Sequence, residues 1–251
     1  MNTPGFEILY EDNHMIGVVK PSGVLSQGDG SSVPDMLSII GDYIKKRDQK
    51  PGNVFVGLVH RLDRNVGGTM IFAKTSKGAS RLSESMRNGA FFKGYYVLTE
   101  NRLSSKDGFL VNYLWKDEKQ NRVYERKDGK LSRLFYQYIG SDNGLNLYFA
   151  IPITGRTHQI RAQFAFAGAP LVGDRKYGRD KEIGYQVGLW SGVVSVPHPV
   201  RRDEKILFTS VPNGEVWNRF KLLDKYVESF IARLDVKQYE MLCRKEDSHG
   251  V

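Results

Sequence analysis

Residues 134–140 (LFYQYIG) and 145–153 (LNLYFAIPI) flank the polar tetrad 141–144, which ends in glycine. No other stretch constrains the fold as much. Two runs rich in aromatic and branched side chains, joined by so short a polar loop, form a β-hairpin. The same logic marks FEILY (6–10) and MIGVVK (15–20) as strands joined by a turn over 11–14. TMIFAKT (69–75), FFKGYYVLTE (91–100) and ILFTSVP (206–212) read as strands by their aromatic and β-branched content. FVGLVHRLD (55–63) is a short apolar run that closes on a charged turn.

Helical signals fall between these runs. Pro34 and Asp35 precede Met36, Leu37, Ile39 and Ile40, so a helix starts there and ends near 50–52, where lysines and Gly52 take over. Leu82 and Met86 stand at helical spacing within 76–88. THQIRAQFAFAG (157–168) predicts a helix stopped by Gly168. Trp217, Phe220, Leu223, Val227, Phe230, Ile231 and Leu234 predict a C-terminal amphipathic helix over about 215–236, interrupted or bent near Asp224. Helices scattered irregularly among strands argue for an α+β fold with a mixed, mostly antiparallel sheet, not a regular βαβ array. The 251 residues suffice for one large domain or two intimately packed subdomains, and with no repeat or low-complexity linker to divide them they are read as a single domain.

Charge narrows the partners. Thirty-seven Lys and Arg against 28 Asp and Glu leave a net charge of +9. Such a surface attracts phosphate polyanions, nucleic acid above all, although the same charge also serves solubility. Residues 116–133 hold seven basic and four acidic side chains, a solvated hairpin or an RNA-facing insertion. The single cysteine, Cys243, excludes an intramolecular disulfide and Cys-rich zinc sites. The opening residues form no apolar signal sequence, and no run approaches the length needed to span a bilayer. The expectation is a cytoplasmic protein that is monomeric, since no heptad seam appears, and has no obligate protein partner.

Three constellations carry chemistry. His60-Arg61-Leu62-Asp63-Arg64 ends an apolar run, and Gly67-Gly68 follow. Cations beside a carboxylate favour its ionised form, and an ionised Asp serves as nucleophile or base. An Asp salt-bridged in a loop fits the same residues. Thr154-Gly155-Arg156-Thr157-His158-Gln159-Ile160-Arg161 crowds polar groups at the start of a helix, where backbone N–H groups favour an anion. His158 has no second metal ligand at zinc spacing and fits a packing role equally well. Lys93-Gly94-Tyr95-Tyr96 puts aromatic rings in a strand, as a platform for unpaired bases or as core.

Together these segments resemble the RluA-type pseudouridine synthase family. HRLDR (60–64) is similar to its catalytic signature, and TMIFAKTSKGA (69–79) to the segment after it. Lys93-Gly94-Tyr95 resembles its K-x-Y motif, VVKPSG its opening strand and loop, and GRTHQIRAQFAFAGAPLVGDRKYG (155–178) its second long signature. The resemblance spans about residues 6–212. It implies a pseudouridine synthase fold with an active-site cleft across the sheet, and the isomerisation of uridine in structured RNA, a ribosomal or transfer RNA stem-loop, by base flipping and without cofactor or metal. It implies Asp63 as the catalytic aspartate, Tyr95 stacked on the target base, and Arg161 paired with Asp63. Arg61 and Arg64 would contact RNA near the target, with Arg61 filling the space left by the base. His60, Lys93, Arg156, Thr157, His158 and Gln159 complete the expected RNA-binding set.

Departures from the family pattern touch the edges of these motifs. Gly67-Gly68 stands where Ser-Gly is expected, and Leu189-Trp190-Ser191 where Leu-His-Ala is expected, while Val196-Pro197-His198-Pro199 fits. These changes bear on the substrate-side wall. The resemblance sets in at the first strand, so the expectation is a catalytic domain without the small N-terminal RNA-binding module of some relatives, with recognition falling to the catalytic domain itself. A catalytically silent RNA-folding factor on the same scaffold would keep the charge but could dispense with Asp63 or Arg161, and both are present. A nuclease would want a metal-binding carboxylate cluster or a His pair, and neither is evident.

Overall fold

The computed structural model describes residues 5–178, 186–201 and 203–247. In chain order the elements are β1 (Glu7–Glu11), β2 (Met15–Lys20), α1 (Met36–Arg47), β3 (Gly57–Leu58), β4 (Gly67–Ala73), α2 (Ser76–Arg87) and β5 (Phe92–Thr99). Next come β6 (Asp107–Asp117), β7 (Arg122–Glu125), β8 (Lys130–Asp142), β9 (Leu145–Pro152) and α3 (Gln159–Phe166). The chain closes with β10 (Leu189–Pro197), β11 (Lys205–Thr209), α4 (Glu215–Asn218), α5 (Leu223–Ile231) and α6 (Val236–Asp247). They fall into two compact units, Met1–Phe92 with Ser191–Ser210, and Lys93–Trp190 with Val211–Val251. No helix among the described residues is long and apolar enough to cross a membrane.

In the first unit β2 is the inner partner of the β1–β2 hairpin and pairs antiparallel with β4 from Met15↔Ala73 to Lys20↔Gly68. All six residues of β2 and all seven of β4 are buried. A strand covered on both faces reads as a continuous apolar run, which is why MIGVVK and TMIFA lack alternation. The core gathers Met15, Ile71 and Ala73 with Val59, Leu82, Val194, Val196 and Phe208. Helix α1 starts where the Asp35 carboxylate accepts from Leu37 N (2.7 Å) and Ser38 N (3.2 Å), while Ser38 Oγ accepts from Asp35 N (3.1 Å). This reciprocal box satisfies N–H groups that a helix start otherwise leaves bare. The helix ends at Arg47, a few residues ahead of the expected 50–52.

In the second unit the strand order is β5-β9-β8-β6-β7, antiparallel at each step. The β8–β9 hairpin turns on Asn143 (φ 49°) and Gly144 (φ 75°), as the polar tetrad predicts. Successive side chains of a strand point to opposite faces, and directly paired residues share a face. Tyr95, Ala150 and Tyr136 lie in one cross-strand row. Tyr136 packs its ring 6.0 Å from Phe164 of α3, so α3 covers that face. Tyr96 and Phe149 lie on the other face, against Phe230 of α5 at 6.2 and 4.6 Å. Gly94 is needed here: a Cβ would stand 2.0 Å from Phe149 Cζ. Tyr239 of α6 adds a ring contact to Phe149 and hydrogen-bonds Gln137.

The C-terminal segment is interrupted close to the expected point, Asp224. It breaks into α4, α5 and α6, with the interruption over 219–222, just before Asp224, and with a helix, 236–247, that the apolar spacing did not announce. Strand β6 and strand β10 also went unread. The stretch 116–133 is the β6–β7 hairpin continuing into β8.

Candidate active site

In the first unit the motif His60-Arg61-Leu62-Asp63-Arg64 occupies the loop between β3 and β4, and this loop is tied down at several points. The Ser26 hydroxyl donates to Leu62 O (2.8 Å) and accepts from Leu62 N (3.1 Å). His60 is buried, and its Nε2 accepts from Ile71 N at 3.1 Å, which pins the start of the motif to β4. Gly23 N donates to Arg64 O (2.8 Å), and Arg64 Nε returns a bond to Gly23 O (3.0 Å). Beneath the loop lies Lys20, fully buried at the end of β2. Its ammonium donates to Pro21 O (2.9 Å), Val24 O (2.7 Å) and Arg64 O (3.2 Å), which uses all three N–H bonds. Burial pulls this ammonium down to about 7, while the nearby negative charge of Asp63 pulls the other way. Asp63 is thus carried on a loop fixed from below by a cation, with Arg61 and Arg64 exposed on either side of it.

Of the Gly67-Gly68 pair, the second is the glycine that the family pattern keeps, and its surroundings explain it. It sits at φ 117°, and a Cβ there would lie 2.4 Å from the Ser191 carbonyl oxygen. Backbone cannot give way as a flexible side chain can, so glycine is required. Ser191 is fully buried, and its hydroxyl donates to Thr69 O at 2.9 Å. Trp190 is buried too. The residues Leu189-Trp190-Ser191 are therefore part of β10, a strand buried along nearly its whole length.

In the second unit Tyr95 and Lys93 project from β5 toward the α3 face, by the two-residue period of the strand. Tyr95 is buried; Lys93 is partly exposed, and burial lowers its ammonium from the ordinary range. Arg161, on α3, forks its guanidinium onto Asp174, with Nε to Oδ2 at 2.7 Å and Nη2 to Oδ1 at 2.9 Å. Bidentate Arg–carboxylate pairs combine strength with fixed orientation. Oδ1 also accepts from Lys176 N (3.0 Å) and Tyr177 N (3.1 Å). Burial pushes the Asp174 carboxyl up, but Arg161 and these amides outweigh it and hold it below the usual carboxylate range.

Helix α3 begins in an unusual way. Its N-cap, His158, lies in the left-handed region (φ 51°, ψ 19°) and provides no side-chain cap. Its Nδ1 is 3.0 Å from the Tyr177 hydroxyl, which accepts from Val123 N at 2.8 Å. Gln159 is buried and spends its amide on the loop before it: Oε1 accepts from Thr154 Oγ1 (2.8 Å) and Arg156 N (3.0 Å), and Nε2 donates to Arg133 O (2.9 Å). Arg156 and Thr157 are exposed.

These motifs recur in known proteins. A family described as RNA pseudouridylate synthase matches residues 14–166, more than half of the chain. The chain belongs to the RNA pseudouridylate synthase family. A relative, the "Ribosomal large subunit pseudouridine synthase C" of Buchnera aphidicola subsp. Acyrthosiphon pisum, is 35% identical over 177 residues, 69% of this chain and 54% of its own length. The protein of the same name from Vibrio vulnificus is 32% identical over 229 residues, 88% of this chain and 68% of its own length. This chain spans little more than half the length of the first of these. Among solved structures, human RNA pseudouridylate synthase domain containing 4 superposes with a TM-score of 0.70 at 18% identity, over 86% of this chain and 93% of that one. That likeness shows the pseudouridine synthase fold.

Within the RNA pseudouridylate synthase frame, the expected residues sort by unit. The first unit brings together His60, Arg61, Asp63 and Arg64 on one braced loop. The second brings Lys93 and Tyr95 to the sheet face that carries Arg161 and His158. Gln159 and His60 are buried in bonds to backbone, so each shapes a loop of its motif. Three residues went unremarked in the sequence although they lie inside quoted motifs: Lys20 in VVKPSG, and Asp174 and Tyr177 in GDRKYG. A lysine at a strand end ordinarily reaches for solvent, and nothing in the spacing said this one is enclosed.

Proposed function

We propose that the protein isomerises uridine to pseudouridine in RNA, and that its substrate is large-subunit ribosomal RNA. Membership of the family carries the reaction. The names of the relatives from Buchnera and Vibrio support the choice of RNA, and the net charge of +9 suits a phosphate polyanion. The N1–C1′ bond of the target nucleotide breaks, the uracil turns while held, and a C5–C1′ bond forms. N1 gains a proton and C5 loses one, so atoms and electrons balance without an outside reactant.

In this reading Asp63 is the catalytic group, on the loop that Lys20 braces. Tyr95 stacks on the flipped base, and Arg161 pairs with Asp63 as the family resemblance implies. Extruding the base costs roughly a few kcal/mol of stacking. Contacts from Arg61, Arg64, Lys93, Arg156, Thr157 and His158 to the RNA offset that cost, and Arg61 fills the gap left in the stack.

The test uses unmodified ribosomal and transfer RNA transcripts carrying tritium at uracil C5. Loss of the C5 hydrogen during isomerisation frees tritium to water. Release by the native protein from ribosomal RNA, and none by Asp63→Ala, is expected. Release from transfer RNA alone would move the substrate. No release from any RNA, by folded protein that binds it, would sink the reaction.

A further inference from the structure

We propose that Asp174 and Tyr177 are positioning residues that fix the orientation of the Arg161 guanidinium. The inference rests on the reading above, in which Arg161 partners Asp63, and deepens it by naming what aims the arginine.

The support is a preformed turn. Val172 N donates to Leu98 O at 2.9 Å, which fastens the turn to β5, the strand of Tyr95. Asp174 N donates to Leu171 O (3.1 Å) and Gly178 N to Asp174 O (2.6 Å), closing it. Gly173 stands at φ 72°, where a Cβ would lie 2.5 Å from Gln186 O, so only glycine fits. The turn thus presents the Asp174 carboxylate from a backbone that has little freedom. Its side chain is wholly enclosed (0% exposed) and that of Arg161 nearly so (7%). Asp174 fixes two of the guanidinium's nitrogens in one plane. Tyr177 adds its ring, 5.4 Å from the guanidinium carbon, and the same ring receives Arg122 of β7 at 5.3 Å. His158 closes the set through the Tyr177 hydroxyl.

The arrangement separates two jobs. Asp174 uses Arg161 Nε and one Nη2 hydrogen, while the guanidinium carries five N–H bonds in a rigid fork. With two of them committed, the direction of the others is set before any substrate arrives. A carboxylate facing those remaining bonds meets a cation that neither swings nor needs reorganising, and this kind of preorganisation lowers a barrier. Asp174 and Tyr177 themselves touch no reacting atom and act through Arg161.

The experiment measures single-turnover tritium release and RNA affinity for the native protein, Asp174→Asn, Tyr177→Phe and Tyr177→Leu. Thermal unfolding of each establishes the folded fraction. Asp174→Asn keeps the shape but loses the charge and one acceptor. Its rate is expected to fall about 100-fold, the scale of a small misplacement in an active site, with RNA affinity unchanged. Tyr177→Leu should lower the rate in the same way with affinity unchanged, and Tyr177→Phe, which keeps the ring, should not. A purely structural role would lower the melting temperature and reduce rate and RNA affinity together. Folded Asp174→Asn with native rate overturns the inference and leaves the function standing. If Asp174→Asn does not fold, Tyr177→Leu decides: a native rate overturns the inference. A native protein that releases no tritium overturns the function and the inference together.

Discussion

Lys20 illustrates how much one enclosed side chain can organise. Its three bonds go to carbonyls at 21, 24 and 64, so one ammonium joins the end of β2 to the residue after Asp63. Replacing it by methionine keeps the length and removes every donor. Carbonyls left bare in a buried setting cost about 1–3 kcal/mol, so Lys20→Met should lower the melting temperature. The sharper expectation is kinetic: tritium release should drop much further than RNA affinity, because the loop loses its shape while the exposed cations Arg61 and Arg64 remain. Equal losses in both would count against the bracing role. Asp63, Tyr95 and Arg161 were legible as motif residues. The part played by Lys20 was not, since a residue's burial depends on what packs over it.

At the scale of elements, the β1–β2 turn is held by an interaction distant in sequence. Asp12 accepts from His14 N (2.7 Å), Met15 N (2.9 Å) and Tyr10 Oη (3.1 Å), and His198 Nε2 donates to it at 2.6 Å. His198 Nδ1 in turn accepts from Val200 N and Arg201 N, which leaves its proton on Nε2. Burial pushes the Asp12 carboxyl up, but these donors, His198 first, hold it at about 2 against 3.8 in a free chain. A carboxyl depressed on folding stabilises the fold fully above its unfolded value and loses that contribution as pH falls through its folded one. Asp12→Asn should therefore cost about 1–3 kcal/mol near neutral pH and flatten the loss of stability across that acid window, read by denaturant unfolding at each pH. An unchanged slope would refute the assignment. The elements that sequence patterning missed have related causes. Strand β10 is buried on nearly every residue and lacks alternation, and β6 is only partly covered, with polar and apolar residues mixed. In the C-terminal segment the apolar spacing carries through the interruption at 219–222, and α5 buries Leu223, Val227 and Phe230 as that spacing requires.

For the molecule as a whole, net charge and composition support one further expectation. If Lys and Arg side chains track phosphates, RNA affinity should fall steeply and linearly on a log–log plot against salt, by about 0.7–0.9 per phosphate contacted. Affinity indifferent to salt would contradict a phosphate-tracking surface. What the sequence by itself determined was the kind of fold, α+β with a mostly antiparallel sheet, and the motifs of a pseudouridine synthase, because strand periodicity, turn glycines and ordered signatures are local properties of the chain. The division into two compact units, the face to which each strand residue points, the enclosure of Lys20 and the aiming of Arg161 by Asp174 were decided by tertiary structure. Burial and hydrogen-bond partnership join residues far apart in sequence, and only packing brings them within reach.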